Sequence, residues 1–588
     1  MKFLGNVLAT VIGIFVFCMI FFFGLIFLGA VMGGDKDKVT IKDNTVIVLD
    51  LAKVSLDYAG KVNFKEFNYF ETNHDGLMDV LNAIEAAKLD NKIKGISILN
   101  NQSQLGMAQS KALRDKLEDF KKSGKFVVSY SNYITQRDYY LNSVADSIYL
   151  NPIGELDFKG LATEVLYMKD LQEKTGIKME VIRHGKYKSA VEPFLAQEMS
   201  PENREQISVL LNSVWDTFVS DISKSRNIPV DSLNAIANSL GARTPELALS
   251  KHLVDKVAYE DEYHNAIKKK LKVKAADDYN TVSILDYSKK TATSATDFSK
   301  KEIIAVIYAQ GEIQGGEGDI NIIGEGSIKR SLKEAREDDD VKAIVLRVDS
   351  PGGSALTSEL IWREIEITKK VKPVVVSMGN VAASGGYYIA CNADKIFAEP
   401  NTITGSIGVF GMLPNMNQLA KNIGINAEQV QTHKNASGYS LFEPLNEDFK
   451  MFTQEGVESI YTTFLSRVAT GRKMTTEQVD AIAQGRVWTG TDALKNGLVD
   501  ELGGLEDALK HAAKIAKVKD YRIETFPEYE RSFEDLLGNL TGISIFQSKD
   551  ALLKEQIGEE SYELIQKIKR ANQLKGIQAM MPFEIKIK

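Results

Sequence analysis

The fold is decided by two copies of one pattern, VVSYSNYITQRDYYLNSVADSI at residues 127–148 and VVSMGNVAASGGYYIACNADKI at residues 375–396, which lie 248 positions apart. Nine of the 22 aligned positions are identical, whereas ordinary composition would give roughly one or two matches. A slightly shorter spacing aligns the triplet LVD at residues 253–255 with the same triplet at residues 498–500. Self-similarity at a fixed spacing predicts an internal duplication of one structural unit.

Working outward from the repeat, we divide the 588 residues into several segments, because a chain of this length exceeds one ordinary hydrophobic core. The stretch that follows residue 285 is rich in Ser, Thr, Lys and Ala, a composition typical of linkers. The predicted segments are an N-terminal anchor at 1–38, a first repeat at 45–285, a linker at 286–300, a second repeat at 301–520 and an extension of unknown role at 521–588.

Within each repeat, short apolar runs rich in β-branched residues alternate with amphipathic stretches. This alternation predicts βα units with buried, largely parallel strands, and therefore an α/β fold. In the second repeat we predict strands at 303–307, 343–348 and 374–377, and helices at 327–337, 356–370 and 387–391.

Composition excludes several classes of function. The net charge is −7 and no long basic block is present, so nothing indicates a nucleic-acid partner. The two cysteines, Cys18 and Cys391, exclude a disulfide framework and a cysteine-rich metal site. The six histidines form no pair at ligand spacing, so we predict neither a metal nor a cofactor.

The N-terminus carries an apolar run, residues 7–32, that is long enough to span a bilayer as a helix. We predict a single uncleaved transmembrane anchor, since the run is longer than the apolar core of a cleaved signal peptide and ends in a poor cleavage site. The positive-inside tendency then keeps the short N-terminus in the cytoplasm and exports the body. The alternative is a long signal peptide that is removed on export.

Two glycine-rich turns in the second repeat each follow a predicted strand, residues 349–354 (DSPGGS) and residues 382–386 (AASGG). Consecutive glycines let the backbone turn sharply and leave N–H groups free for an oxyanion or a substrate backbone. Ser384 stands at a strand-to-helix turn, where a nucleophilic serine is accessible and close to a helix N-terminus. The alternative for Ser384 is an ordinary helix N-cap.

The two repeats differ at the positions that chemistry would use. The first repeat has Gln136 at the position of Ser384, and it lacks both glycine turns. The second repeat has Ala436 at the position of Lys188. A nucleophilic serine needs a base, and a lysine with a lowered pKa can serve as one. Ser384 and Lys188 are therefore candidates for nucleophile and base, although a lysine in such a loop can also be a solvated surface charge.

At this point the sequence resembles the signal peptide peptidase (protease IV) family of serine peptidases, in its long tandem form. The similarity covers the predicted anchor and both repeats, but not the tail after about residue 520. The motifs that carry it are residues 187–194 (YKSAVEPF), 349–353 (DSPGG), 383–387 (ASGGY), 404–408 (TGSIG), 485–490 (GRVWTG) and 497–500 (GLVD).

The resemblance implies a Clp protease/crotonase-like ββα unit in tandem and a Ser–Lys catalytic dyad. By position, Ser384 attacks the scissile carbonyl and Lys188 acts as the base. Ser406 matches the family serine that hydrogen-bonds the lysine. The N–H groups of Gly385 and of Gly353 (or Gly352) correspond to the oxyanion hole.

The resemblance further implies a homotetramer at the bacterial inner membrane, anchored in the bilayer through residues 7–32, with its catalytic body on the periplasmic side. Its substrates are expected to be released signal peptides and other short apolar segments, without metal, nucleotide or other cofactor. Whether Lys188 meets Ser384 of its own chain or of a neighbour stays open, as does the preferred cleavage site.

Two other functions fit parts of the sequence. A crotonase-like acyl-CoA enzyme would use the same fold, but no adenine-nucleotide signature is visible and an exported body does not meet acyl-CoA. An inactive membrane scaffold would use the duplicated fold for assembly, but loss of function would be expected to erase the glycine turns in both repeats.

Overall fold

The computed structural model describes residues 10, 12–21, 40–54, 56–64, 69–72, 74–295, 300–531 and 577–581. Most of the predicted anchor, residues 7–32, lies outside these residues; its described part, residues 10 and 12–21, is helical and exposed. Among the residues that are described, no helix combines the length and the apolar character needed to cross a membrane.

The first repeat contains nine strands and ten α-helices in the described ranges. The strands are β1 (Thr45–Val48), β2 (Lys61–Phe64), β3 (Tyr69–Thr72), β4 (Ile93–Leu99), β5 (Phe126–Ile134), β6 (Ser147–Leu156), β7 (Lys178–His184), β8 (Lys256–Val257) and β9 (Asn280–Ser283). The helices are α1 (Leu77–Leu89), α2 (Met107–Lys121), α3 (Gln136–Asn142), α4 (Lys169–Thr175), α5 (Glu192–Leu195), α6 (Pro201–Arg226), α7 (Val230–Asn238), α8 (Pro245–Ser250), α9 (Glu260–Leu271) and α10 (Ile284–Ala295).

The second repeat and the described part of the tail supply the remaining elements. The strands are β10 (Ile303–Gln310), β11 (Glu312–Gln314), β12 (Gly318–Asp319), β13 (Ile322–Gly324), β14 (Val341–Ser350), β15 (Gly352–Ser354), β16 (Val374–Ala383), β17 (Lys395–Ala398), β18 (Ile403–Gly405), β19 (Val409–Asn415), β20 (Val487–Thr489), β21 (Glu501–Leu502), β22 (Arg522–Phe526), β23 (Glu528–Arg531) and β24 (Gln578–Met580). The helices are α11 (Glu325–Glu337), α12 (Ala355–Lys369), α13 (Gly385–Ala390), α14 (Asn417–Asn422), α15 (Glu447–Arg472), α16 (Thr476–Ile482), α17 (Gly490–Lys495) and α18 (Leu505–Ala516).

Each repeat is built on a largely parallel sheet that is buried on both faces. The first sheet has the order β8-β6-β5-β4-β1-β9 and is parallel throughout. The second has the order β20-β18-β16-β14-β10-β22, with β17 paired to β16 and β21 paired to β17. Ile303 packs into the core on one face and Ile304 into the core on the other. This explains why the strands read as continuous apolar runs, and it confirms the predicted α/β fold.

The duplication extends to individual hydrogen bonds. Tyr139 Oη donates to the Leu253 carbonyl at 2.8 Å, and the matching Tyr387 Oη donates to the Leu498 carbonyl at 2.9 Å. Both tyrosines are buried. The paired Tyr-Tyr dipeptides of the two copies thus keep the same packing role, which is why these positions stayed alike while the glycine turns did not.

A third sheet joins the two repeats and the tail, in the order β12-β13-β11-β15-β24-β19-β7. Strand β7 of the first repeat runs antiparallel to β19 of the second, with His184 opposite Val409. The loop that follows β7 therefore extends into the second repeat. The tail strand β24 lies between β15 and β19.

The predicted linker at 286–300 is mostly helical, since α10 runs to Ala295. Tyr287 and Ser288 are buried; Tyr287 Oη contacts Asp90 Oδ2 at 3.1 Å, and Ser288 Oγ donates to the His74 carbonyl at 3.1 Å. The small polar composition suggested a linker, but apolar side chains at the start of the segment give the helix a face to bury. That these residues link the two repeats stays a prediction.

Candidate active site

Ser384 lies between the end of β16 and the start of α13, where the backbone is forced into an unusual conformation. Its φ of 54° and ψ of −114° are rare for a residue with a side chain. Its N–H donates to the Gly405 carbonyl at 2.8 Å. Ser384 occupies the N-cap position of α13, but its side chain makes no capping hydrogen bond. The N-cap interpretation therefore does not explain this hydroxyl, and strain of this kind is concentrated at functional sites.

Lys188 belongs to the first repeat and lies in the loop that follows β7. Gly185 in this loop has a φ of 102°, and a Cβ there would lie 2.5 Å from the Gln484 carbonyl oxygen. The Tyr187 N–H donates to that same carbonyl at 2.9 Å. Only glycine allows this close approach, and it turns the chain so that Lys188 points inward and is fully buried.

The two candidate residues meet. Lys188 Nζ lies 2.8 Å from Ser384 Oγ, 2.9 Å from Ser406 Oγ and 3.1 Å from the Ser406 carbonyl oxygen. All three side chains are buried. A neutral amine has one lone pair and two hydrogens, so it can accept from Ser384 and donate to both oxygens of Ser406. The contact is made within one chain.

Burial sets the charge state of the lysine. Removal from water lowers the pKa of Lys188 well below its ordinary value, because desolvation penalises the ammonium form. No charged group among the described residues offsets this penalty. The surface-charge interpretation of Lys188 is therefore wrong, and the amine is prepared to accept a proton.

The glycine turns converge beside Ser384. Gly352 and Gly353 have positive φ values of 97° and 155°, and a Cβ on Gly352 would lie 2.7 Å from the Gly385 nitrogen. The two turns therefore lie against each other beside Ser384, the arrangement that an oxyanion hole built from both would need. Neither Gly352 nor Gly385 has room for a side chain.

Buried charges tie this region to the first repeat. Asp349 Oδ1, just before the glycine turn, accepts from the Val381 N–H of β16 at 2.9 Å. Burial raises the pKa of Asp349, and the nearby Asp57 carboxylate raises it further. Asp57 of the first repeat pairs with Arg347 of β14 at 2.6 Å, and both are buried. The turn is thus held by groups from both repeats.

Sequence reasoning missed two contributors. From sequence, Gly485 is only part of a motif, yet a Cβ on it would lie 2.6 Å from the Lys188 backbone nitrogen. The tail residues 577–581 (IQAMM) pair with the glycine turn, whereas no sequence motif predicts a role for residues 521–588. The available signal is a short, mostly apolar run with a small central residue, and such runs are too common to be diagnostic.

The comparison with known protein families divides the chain into the same two repeats. The model of peptidase family S49 matches two regions, residues 118–274 and 366–519. These regions contain the Lys188 loop and the Ser384 turn respectively. They fall in the two repeats, as expected for a tandem duplication.

Relatives align over most of the chain. Protease 4 of Salmonella typhi is 38% identical over 495 residues, which cover 82% of this chain and 78% of that protein. Serine protease SPPA, chloroplastic, of Arabidopsis thaliana is 33% identical over 469 residues, which cover 79% and 69%. Among solved structures, a ClpP1 mutant from Listeria monocytogenes aligns with 35% of this chain and 94% of its own, at 16% identity and a TM-score of 0.24. The Clp-like unit stays a prediction.

Proposed function

The chain belongs to peptidase family S49 and is a serine peptidase, and from this membership we propose that it is a membrane-anchored endopeptidase that degrades cleaved signal peptides and other short apolar peptides. In this proposal Ser384 is the nucleophile and Lys188 the general base. The observation that carries it is the 2.8 Å contact between Lys188 Nζ and Ser384 Oγ, made by two repeats that each lack the other's residue.

The first chemical step is acylation. Ser384 Oγ attacks the scissile carbonyl carbon while its proton passes to the neutral Lys188 amine. The resulting ammonium then gives a proton to the leaving amine, and the acyl-enzyme forms. In deacylation the neutral amine takes a proton from water as the water oxygen attacks the ester carbonyl carbon, and the ammonium then returns this proton to Ser384 Oγ as the ester bond breaks.

Ser406 positions the base. By accepting from Lys188 Nζ through both its hydroxyl and its carbonyl, it aims the remaining lone pair of the neutral amine at Ser384. Once the lysine is protonated, the same two oxygens accept from an ammonium. Hydrogen bonds to a charged donor are stronger, so Ser406 stabilises the charge as it develops.

The oxyanion of the tetrahedral intermediate would be held by the N–H groups of Gly353 and Gly385. The positive φ values of Gly352 and Gly353 support this assignment, because they require glycine and so leave the turn free of side chains. One such donor is worth about 3 kcal/mol of transition-state stabilisation.

The location and assembly also belong to this proposal. The apolar run at 7–32 would anchor the chain in the bacterial inner membrane, with the catalytic body in the periplasm. The two repeats at 45–285 and 301–520 would form one unit of a homotetramer. Because the dyad is completed within one chain, assembly would shape access to the site rather than complete its chemistry.

The test is hydrolysis of a quenched apolar peptide between pH 6 and 10 by the full chain in detergent. We expect Ser384→Ala and Lys188→Ala to lose turnover by at least a thousandfold while staying folded. The matched control is Lys186→Ala, since Lys186 is exposed and lies two residues from the proposed base. It should keep wild-type turnover.

Wild-type kcat/KM should rise with pH as Lys188 loses its proton in the free enzyme. Full activity of Lys188→Ala would place the base elsewhere. Full activity of Ser384→Ala would reject the nucleophile and the proposed mechanism with it.

A further inference from the structure

The tail strand β24 is bound against the glycine turn in the manner of an added strand. It runs antiparallel to β15, with Gly353 opposite Ala579. The Ala355 N–H donates to the Ile577 carbonyl at 3.3 Å, and the Met581 N–H donates to the Pro351 carbonyl at 2.6 Å. Recognition by strand addition is a common way to bind an extended peptide.

This register aims one carbonyl at the proposed oxyanion hole. Hydrogen-bonded pairs alternate along an antiparallel ladder, so the bonds that flank Gly353 and Ala579 make these two residues a hydrogen-bonded pair. The Gly353 N–H therefore faces the Ala579 carbonyl. A Cβ on Gly352 would lie 2.1 Å from that oxygen, and a Cβ on Gly385 would lie 3.0 Å from it.

Apolar surfaces from both repeats receive the side chains of the tail on either side of Ala579. Ala579 itself is completely buried. The neighbouring side chains pack in three separate groups: Ile577 with Val409, Val457 and Tyr461; Met580 with Met179, Phe410 and Met412; and Met581 with Leu210, Ile403 and Val487. The groove thus accepts an extended apolar peptide with a small residue at its centre.

From these contacts we propose that the peptide bond between Ala579 and Met580 is a cleavage site of this enzyme, and that residues 577–581 occupy the groove as its own substrate. The inference rests on the proposed function. Ser384 Oγ bonds to the Ala579 carbonyl carbon as the bond from that carbon to the Met580 nitrogen breaks. Lys188 transfers the hydroxyl proton to the Met580 nitrogen, and water then frees the Ala579 carboxylate.

The bound segment also defines the substrate class. The residue that supplies the scissile carbonyl must be small, because the site around Ala579 is closed. The residue two positions before it, and the two residues that follow the cut, are apolar and lie against apolar walls. We therefore expect peptides with a small residue before the cut and large apolar residues after it.

The experiment follows the intact mass of the full chain in detergent, with peptide hydrolysis measured on the same samples. Wild type should lose the segment that begins at Met580, and Ser384→Ala should keep it. Ala579→Phe should also keep it, because the larger side chain does not fit, while still hydrolysing the quenched peptide. The matched control is Ala276→Phe, the same change at an exposed alanine, which should be processed like wild type.

A quenched peptide that contains Ile-Gln-Ala-Met-Met should be cut between Ala and Met. Replacing its Ala by Phe should slow this cut at least tenfold. If wild type hydrolyses apolar peptides but keeps its own tail, the inference is overturned and the proposed function stands. If neither the tail nor any peptide is cut, the proposed function fails first.

Discussion

Removal of the Ser406 hydroxyl tests whether the base is positioned as the geometry indicates. In Ser406→Ala, Lys188 Nζ keeps Ser384 Oγ at 2.8 Å and the Ser406 carbonyl at 3.1 Å but loses the contact at 2.9 Å. A hydrogen bond between neutral groups is worth about 1 kcal/mol, and one to a charged group about 1.5–3 kcal/mol. The lost bond is neutral in the resting enzyme and charged in the transition state.

The difference between these values, about 0.5–2 kcal/mol, is the transition-state stabilisation that the variant should lose. Since 1.36 kcal/mol corresponds to a factor of ten in rate, we expect kcat/KM to fall roughly 2–30-fold. The hydroxyl also stabilises the ammonium more than the amine, so its loss should lower the pKa of Lys188 further. The acid limb of the kcat/KM profile should therefore move to lower pH.

The assay is steady-state hydrolysis of the quenched apolar peptide across pH, with a control two residues away, on β18. Thr404→Val removes a buried hydroxyl that donates to the Ala382 carbonyl at 2.7 Å and does not contact the lysine. It should cost stability without moving the acid limb. If Ser406→Ala keeps kcat/KM within twofold and an unchanged limb, or if Thr404→Val moves the limb equally, the positioning argument is refuted.

Two further changes address the buried charges by their effect on stability. Lys188→Met should raise the melting temperature at pH 7, because Lys188 binds a proton in the unfolded chain but not in the folded protein, and this difference costs stability. The gain in melting temperature should shrink as the pH rises towards 10.5, where Lys188 of the unfolded chain also loses its proton. Asp57→Ala should cost about 3–5 kcal/mol in urea unfolding, since it leaves the buried Arg347 guanidinium without its carboxylate, and a loss below 1 kcal/mol would show that the pair is not what joins the repeats here.

Much of the fold was predictable because the repeat fixed the alignment of the two copies. The strand at 374–377 and the helix at 327–337 were found from their apolar periods, and both exist with longer bounds as β16 and α11. The pattern of apolar residues indicates which residues are buried, but it does not show at which residue a helix or strand ends. The helical state of residues 286–295 was not predictable in this way, because composition does not show that the start of α10 buries Tyr287.

The meeting of Ser384 and Lys188 was predictable only in part. Their complementary placement in the two repeats suggested a division of labour, but no sequence pattern states that β7 pairs with β19. That antiparallel pairing joins residues more than 200 positions apart, so its register depends on tertiary packing. The contribution of Gly485 could not be predicted for the same reason. A glycine that lets another segment approach closely has no sequence pattern of its own, because the approaching segment is known only from the structure.

The division of the candidate active site between the repeats explains how the first repeat can lack both glycine turns while the site as a whole stays complete. Packing residues such as Tyr139 and Tyr387 stay alike because each sheet must still close its own core. The proposed base, Lys188, needs a buried position to lower its pKa, and the first repeat provides this position by inserting the loop after β7 into the second repeat. In a protein with a single copy, one hydrophobic core would have to hold the proposed nucleophile, the proposed base and the side chains that keep water away from them. With two copies the second repeat keeps the strained turn at Ser384, and the first contributes Lys188 from the loop that follows β7.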